Sequence, residues 1–198
     1  MKKAVFVLLL LCINLTGCAF TVHDVSVNYR YNKPVTQNLS EIQRPPVSIG
    51  QFTDERAMGN PRMILNMQNL NGQTTTGGWQ AEKPVAEIVK DGITQGLEQA
   101  KLPISDSGAQ LELKGELLEF DYTVIMGAWN GTVQPRLMVK LDLVDTASNE
   151  IIWRDTFISK SSLNGNVEIP TLLKSSIDQL VTDLLEDRHF VQKITTGS

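Results

Sequence analysis

Between positions 109 and 162 the apolar residues fall at every second place, and no other stretch of the chain limits its fold so tightly. Leu111, Leu113, Gly115 and Leu117 share one face, and Leu118, Phe120, Tyr122 and Val124 continue it after a slip of one residue, which marks a β-bulge. Ala128-Trp129-Asn130-Gly131 then turns the chain, Asn-Gly being a strong hairpin signal. Strands resume over 132–145 and 150–162, joined by Thr146-Ala147-Ser148-Asn149. This is a three-stranded meander of long strands whose apolar face needs a cover.

Two amphipathic helices can supply the cover. After Lys83-Pro84, the residues Val85, Ile88, Val89, Ile93, Leu97 and Ala100 recur at spacings of three and four, and Pro103 stops the pattern. Gly92 and Gly96 lie one turn apart on this helix and are expected to pack closely on the sheet. A second helix starts near Ile169-Pro170 and sets Leu173, Ile177, Leu180 and Leu184 on a stripe flanked by Leu172, Val181 and Leu185, leaving Lys174, Asp178, Asp183 and Glu186 for solvent.

Upstream, Val47-Ser48-Ile49-Gly50-Gln51-Phe52 alternates as a half-buried strand, and Asp54-Glu55-Arg56 closes it with charge. The stretch 57–81 holds one charged residue, Arg62, and is loop-like apart from a second strand over Arg62-Met63-Ile64-Leu65-Asn66-Met67, with Asn71-Gly72 and Gly77-Gly78 as turns. The order of elements predicts an α+β fold of two layers: a mainly antiparallel sheet of four to five strands with two amphipathic helices on one face.

The N-terminus carries a different signal. Lys2 and Lys3 precede an apolar run over 4–13, too short to cross ~30 Å of hydrocarbon, and the sequence then reaches Leu15-Thr16-Gly17-Cys18. That tetrapeptide resembles a bacterial lipobox. The resemblance implies cleavage before Cys18, diacylglycerol on its sulfur and an N-acyl chain on its freed amine, with no other cofactor. Ala19 in the second mature position resembles an outer-membrane sorting signal. The chain thus divides into a signal peptide (1–17), a lipidated N-terminus and polar tether (18–46), and a single α+β domain (47–198). Within the tether Val25-Ser26-Val27-Asn28-Tyr29 alternates and is a candidate edge strand.

Loss of Lys2 and Lys3 leaves 16 of the 18 basic residues against 22 acidic ones, a net charge of −6, which argues against a surface for nucleic acid or anionic lipid. Cys12 leaves with the signal and Cys18 is taken by lipid, so neither a disulfide nor a Cys metal site is expected, and the domain must stand on its core alone.

Candidates for chemistry are few. His23 falls in the tether and His189 just past the second helix, too isolated to form a catalytic set. Asp54-Glu55-Arg56 reads as a strand end with a local ion pair in preference to an acid pair. Met58, Met63 and Met67 are spaced for gap filling and not for a soft metal. Trp79, beside the uncharged loops, and Trp129 with Asn130 at a hairpin tip are the candidate partner-binding residues.

The lipobox, the early strand closed by Asp54-Glu55-Arg56, the helix from Pro84, the meander and the terminal amphipathic helix together resemble the YajG family of small Gram-negative envelope lipoproteins. That resemblance implies location and fold more than activity. The expected role is that of a non-catalytic outer-membrane lipoprotein, facing the periplasm, which binds another envelope protein; the alternative is a carrier or sensor that binds a lipid or glycan between sheet and helices. Self-association into a homo-oligomer stays open. Substituting Cys18→Ser is expected to move the protein from the membrane pellet to the soluble fraction, and an unchanged partition on cell fractionation would remove the anchor.

Overall fold

The computed structural model describes residues 21–40, 45–68, 73–126 and 131–196. The main sheet is built from β2 (Val47–Asp54), β5 (Leu111–Met126), β6 (Gly131–Asp145) and β7 (Ile151–Lys160) in that order, and the short β8 (Leu163–Asn164) pairs with β6 beyond the end of β7. β5, β6 and β7 form the antiparallel meander, whereas β2 runs parallel to β5. The parallel step requires a crossover, and that crossover holds β3 (Met63–Gln68), β4 (Thr74–Gln80) and helix α1 (Val85–Gln99). Helix α2 (Ile169–Glu186) follows the meander.

α1 lies on β2 and β5, and α2 lies on β6 and β7. Leu113, Leu117, Leu137, Val139, Leu141 and Leu143 of the sheet are fully buried, as are Ile88, Val89, Ile93 and Leu97 of α1 and Leu173, Ile177, Leu180 and Leu184 of α2. The two stripes thus cover the meander's apolar face as their periodicity predicts, and the two-layer α+β architecture stands. The bulge also lies where the apolar alternation slips: Leu117 pairs with Val139 and Glu119 with Met138, so Leu118 is the extra residue. A second bulge in β2 sets Phe52 opposite Gly115, where a β-carbon would fall 2.3 Å from the Phe52 ring. The ring takes the place of the side chain that Gly115 lacks.

The other face of the main sheet is wet and charged. Arg154 forms a bidentate pair with Asp142 directly opposite it, Lys140 pairs with Glu116, Lys114 with Glu112 and Arg136 with Glu119. Exposed pairs of this kind add little stability, but alternating signs keep the face in water.

Four features differ from the sequence reading. Helices number three among the described residues, because α3 (Arg188–Thr196) follows α2 and buries Phe190 against Trp153 at 5.0 Å between ring centroids. His189 therefore lies inside α3, exposed, and not beyond a last helix. Second, β1 (Val22–Asp24), β4 and β3 form a separate three-stranded sheet. Gly77-Gly78 is part of β4 instead of a turn: a β-carbon on Gly78 would sit 2.2 Å from the Leu65 carbonyl oxygen, so the glycine permits the two backbones to close. The turn expected at Asn71-Gly72 is outside the described residues.

Third, Gly92 and Gly96 meet the neighbouring helix, not the sheet. Their β-carbons would lie 2.3 Å from Ile177 Cγ2 and 2.1 Å from Val181 Cγ1. The helices approach through this notch, which is worth the propensity lost by two glycines.

Fourth, residues 25–39, read as tether, run across the helices as a strap. Val27, Tyr31 and Leu39 are buried in the core. Their backbone groups are met mainly by side chains: the Tyr31 N–H donates to Gln95 Oε1 (2.9 Å), Gln99 Nε2 donates to the Tyr31 carbonyl (2.7 Å), and the Leu39 N–H donates to the Ala100 carbonyl (2.6 Å). The Tyr29 hydroxyl donates to Asp178 (2.8 Å), which is consequently not left to solvent. Burial, then that hydrogen bond, push the Tyr29 phenol well above its ordinary pKa.

α1 ends in a Schellman motif. Lys101 is left-handed (φ 62°), its N–H reaches the Glu98 carbonyl at 2.9 Å and the Leu102 N–H reaches the Leu97 carbonyl at 3.0 Å. The Gly96 notch gives the sharper test of the packing. Gly96→Val should lower stability by roughly 1–3 kcal/mol despite a better helix propensity. Adding Val181→Ala should restore part of the loss, as read from urea unfolding midpoints.

A candidate ligand cleft

A strand advances ~3.3 Å per residue and a helix 1.5 Å, so the 16 residues of β5 extend about 50 Å whereas the 18 residues of α2 cover about 27 Å. The helices cannot roof the whole meander. Past the bulge, Phe120 is still covered, but Tyr122 is 36% exposed and Val124 48%, both on the inner face. Val133 of β6 pairs with Val124 and continues this uncovered apolar floor.

Walls rise on two sides of it. One is the loop 165–168 and the first turn of α2, with Val167, Ile169, Pro170 and Leu172. This wall is pinned: the Gly165 N–H (φ 83°) donates to the Gly131 carbonyl at 3.0 Å, Thr132 Oγ1 donates to Asn164 Oδ1 at 3.1 Å, and the Glu168 carbonyl starts the helix by accepting from Thr171 (3.0 Å) and Leu172 (3.2 Å). The other wall is Val25 and Ser26 of the strap with Trp79 of β4.

Two connected hollows result. The one between Trp79, Val25, Tyr122 and Ile169 holds about 600 Å³, and its neighbour between Tyr122, Val124, Val133 and Leu172 about 380 Å³. Tyr122, Val167 and Ile169 line both. Glu168 is the one charged residue lining either, so the space suits an apolar occupant better than an ionic one.

Of the residues singled out from the sequence, Trp79 lines this cleft. It is half-buried, packed against the core and stacked on His23 (centroids 6.3 Å apart, planes at 27°). Cys18, Trp129 and Asn130 lie outside the described residues. Asp54 and Arg56 form the local ion pair expected of them, but deeper than a strand end: Arg56 donates to Asp54 Oδ1 (2.8 Å) and Oδ2 (2.7 Å) and to the carbonyls of Met63 (2.9 Å) and Ile64 (3.2 Å). The guanidinium thus ties the end of β2 to β3 across the two sheets. Met63 is buried in β3. Among the described residues no group of three or more His, Cys, Asp or Glu is placed to hold a metal ion, and no helix is long and apolar enough to cross a membrane.

The floor residues Tyr122 and Val124 are visible in the sequence as the continuation of an apolar face. What marks them as a site is length: strands of this size outrun the two helices that lie on them. Val167 and Ile169 give no signal of their own, since their role comes from where α2 begins.

The strap wall is held by the Val25 N–H on the Gln80 carbonyl (2.9 Å) and, next along the chain, by one carboxylate. Glu82 Oε2 accepts from the Val27 N–H at 2.8 Å and Oε1 from the Asn28 N–H at 3.1 Å. Partial burial raises the Glu82 pKa, but the backbone donors of Val27, Glu82 and Asn28, with Lys83 nearby, outweigh it and hold the carboxyl below its usual range.

The fold is shared with protein XCC0632 from Xanthomonas campestris, of the family model DUF330: the match covers 90% of this chain and 99% of that one, with a TM-score of 0.57 and 11% identity. At that identity the likeness shows the fold alone. PelC from Paraburkholderia phytofirmans, a dodecamer, matches at TM-score 0.37 and 16% identity over 78% of this chain and 96% of that one. A minor lipoprotein from Acinetobacter baumannii matches at TM-score 0.39 and 14% identity over 74% and 93%. Likenesses this weak carry no argument. No protein-family model and no curated protein matches the chain.

A carboxyl with a depressed pKa stabilises above its unfolded value and loses that contribution as the pH falls through the folded one. The strap contact at Glu82 should therefore be intact at neutral pH and weaken from about pH 4 downward. Hydrogen exchange at the Val27 and Asn28 amides, corrected for intrinsic rates, should accelerate over that window, and Glu82→Gln should remove the pH dependence.

Proposed function

We propose that the chain is a non-catalytic, lipid-anchored envelope protein whose domain carries or senses an apolar ligand, the acyl tail of a lipid, in the cleft between the β5–β6 hairpin and the start of α2. The observation that carries this reading is the cleft itself. At about 600 Å³ in its larger part, it falls within the ~300–1,000 Å³ of ordinary ligand sites, and its floor of Tyr122, Val124 and Val133 and, apart from Glu168, the wall of Val167, Ile169, Pro170 and Leu172 are mainly apolar. A sugar would need several convergent polar groups and would find only Ser26, Asn166, Glu168, the Tyr122 hydroxyl and the Trp79 indole N–H, spread over two hollows. The lipid form of the carrier reading is thus favoured over the glycan form.

Binding of an envelope protein through Trp79, Trp129 and Asn130 is less well supported, because Trp79 already stacks on His23 and packs against the core. The proposal includes lipid attachment at Cys18, Ala19 as the residue that sends the protein to the outer membrane, a domain facing the periplasm, and membership of the YajG-like envelope lipoproteins.

The purified protein should bind a fluorescent fatty acid such as cis-parinaric acid. Val167→Trp, which fills the cleft, and Ile169→Glu, which charges its wall, should each weaken binding at least tenfold while leaving the unfolding midpoint within about 3 °C, a shift worth less than ~1 kcal/mol in a domain of this size. Equal affinity in all three proteins would sink the assignment.

A further inference from the structure

We infer that the outer end of the β5–β6 hairpin rests in the same bilayer that holds the Cys18 lipid, so that the cleft opens onto that membrane. The first observation is a run without charge. Residues 122–135 contain no Asp, Glu, Lys or Arg, in a chain of which 20% is charged. Among the described residues the ion pairs on the outer face of the sheet reach the Arg136–Glu119 pair and go no further, at the base of that end.

The second is exposure on both faces. Val124 on the inner face and Ile125 on the outer are each 48% exposed. Neighbouring residues of a strand point to opposite sides, so this end of the hairpin presents exposed aliphatic side chains on both faces. Such a surface is unfavourable in water and suited to the boundary of headgroups and acyl chains. Residues 122–135 bring no carboxylate of their own to anionic lipid, and Glu168 is the one charged residue lining the cleft behind them.

The third is the length of the leash. The Thr21 carbonyl accepts from the Gly78 N–H at 3.1 Å, beside Trp79 in the cleft wall. Cys18 is three residues earlier, a span of at most about 11 Å when fully extended. β1 is fixed to β4 through Val22↔Gly78, His23↔Trp79 and Asp24↔Gln80, so the attachment point cannot drift far from the cleft. Taken together, the short leash brings this side of the domain to the bilayer and the uncharged hairpin end is the surface fit to enter it. The inference rests on lipid at Cys18 and names the source of the cleft's ligand: the adjoining leaflet.

The native lipidated protein, carrying Ile125→Cys labelled with an environment-sensitive nitrobenzoxadiazole dye, is placed on vesicles of phosphatidylethanolamine and phosphatidylglycerol. Ile158→Cys on β7, where the side chain is 45% exposed, is the comparison site. The dye at 125 should be quenched at least twofold by nitroxide on the lipid acyl chains and hardly by aqueous iodide, with the reverse at 158. Iodide quenching at 125 equal to that at 158 overturns the inference. So does protection from both quenchers, which would mean that a protein neighbour or a second copy covers the hairpin. The same labels on a chain starting at Ala19, held by an N-terminal hexahistidine on nickel-chelating lipid, repeat the reading without Cys18. Quenching there beside a native chain that fails to float with vesicles refutes lipidation and leaves the orientation standing. Val167→Trp should leave the pattern at 125 unchanged, which keeps failure of the cleft apart from failure of the membrane contact.

Discussion

A β-strand covers more than twice the distance of a helix for the same number of residues, and the architecture of this protein follows from that disparity. The β5–β6 ladder pairs from Leu111↔Asp145 to Met126↔Gly131. Two helices of 15 and 18 residues lie on it and run out before it does. The bulge at Leu118 keeps Phe120, Tyr122 and Val124 on the inner side, so what the helices leave bare is an apolar floor and not a charged one. The small sheet and the strap then enter from the side. They do not close the gap, and the gap is the cleft.

The parts of the fold legible in the sequence are those with a period: the meander, its bulge, and the apolar stripes of α1 and α2. Thr74–Gln80 has no such period. It is a strand because Gly78 lets its backbone close on Leu65, a relation between two distant segments that no local pattern records. The strap does alternate, through Val25, Val27 and Tyr29, and reads as an edge strand, whereas the strand that forms is Val22–Asp24, just before it. Its side-chain hydrogen-bond partners, however, are Glu82, in the loop before α1, and Gln95, Gln99 and Asp178, which in a helical wheel look like a solvent face. α3 is short, and its Phe190 and Ile194 give only one repeat at a spacing of four.

The candidate site was partly legible for the same reasons. Trp79 stood out as a large aromatic in an uncharged stretch, and it lines the cleft, although stacked on His23 instead of free. Tyr122 and Val124 were visible as apolar positions without their exposure being visible. The charges at Asp54 and Arg56 look like a soluble strand end in sequence; in the fold the Arg56 side chain is 3% exposed and joins two sheets. Removing one partner of so buried a pair leaves the other uncompensated, which is why such groups behave as fixed parts of a core and not as ornaments of a surface.

The strap also sets an order of events. The Tyr29 hydroxyl and its acceptor on Asp178 are 149 residues apart in the chain, and Tyr31 finds Gln95 and Gln99 only when α1 has formed. Contacts that close such long loops form late, once the elements they join are in place. The strap can therefore settle on Gln80 and Glu82 early, but its Tyr29 contact waits for α2, and the N-terminal side of the core is completed by an element from the far end of the chain.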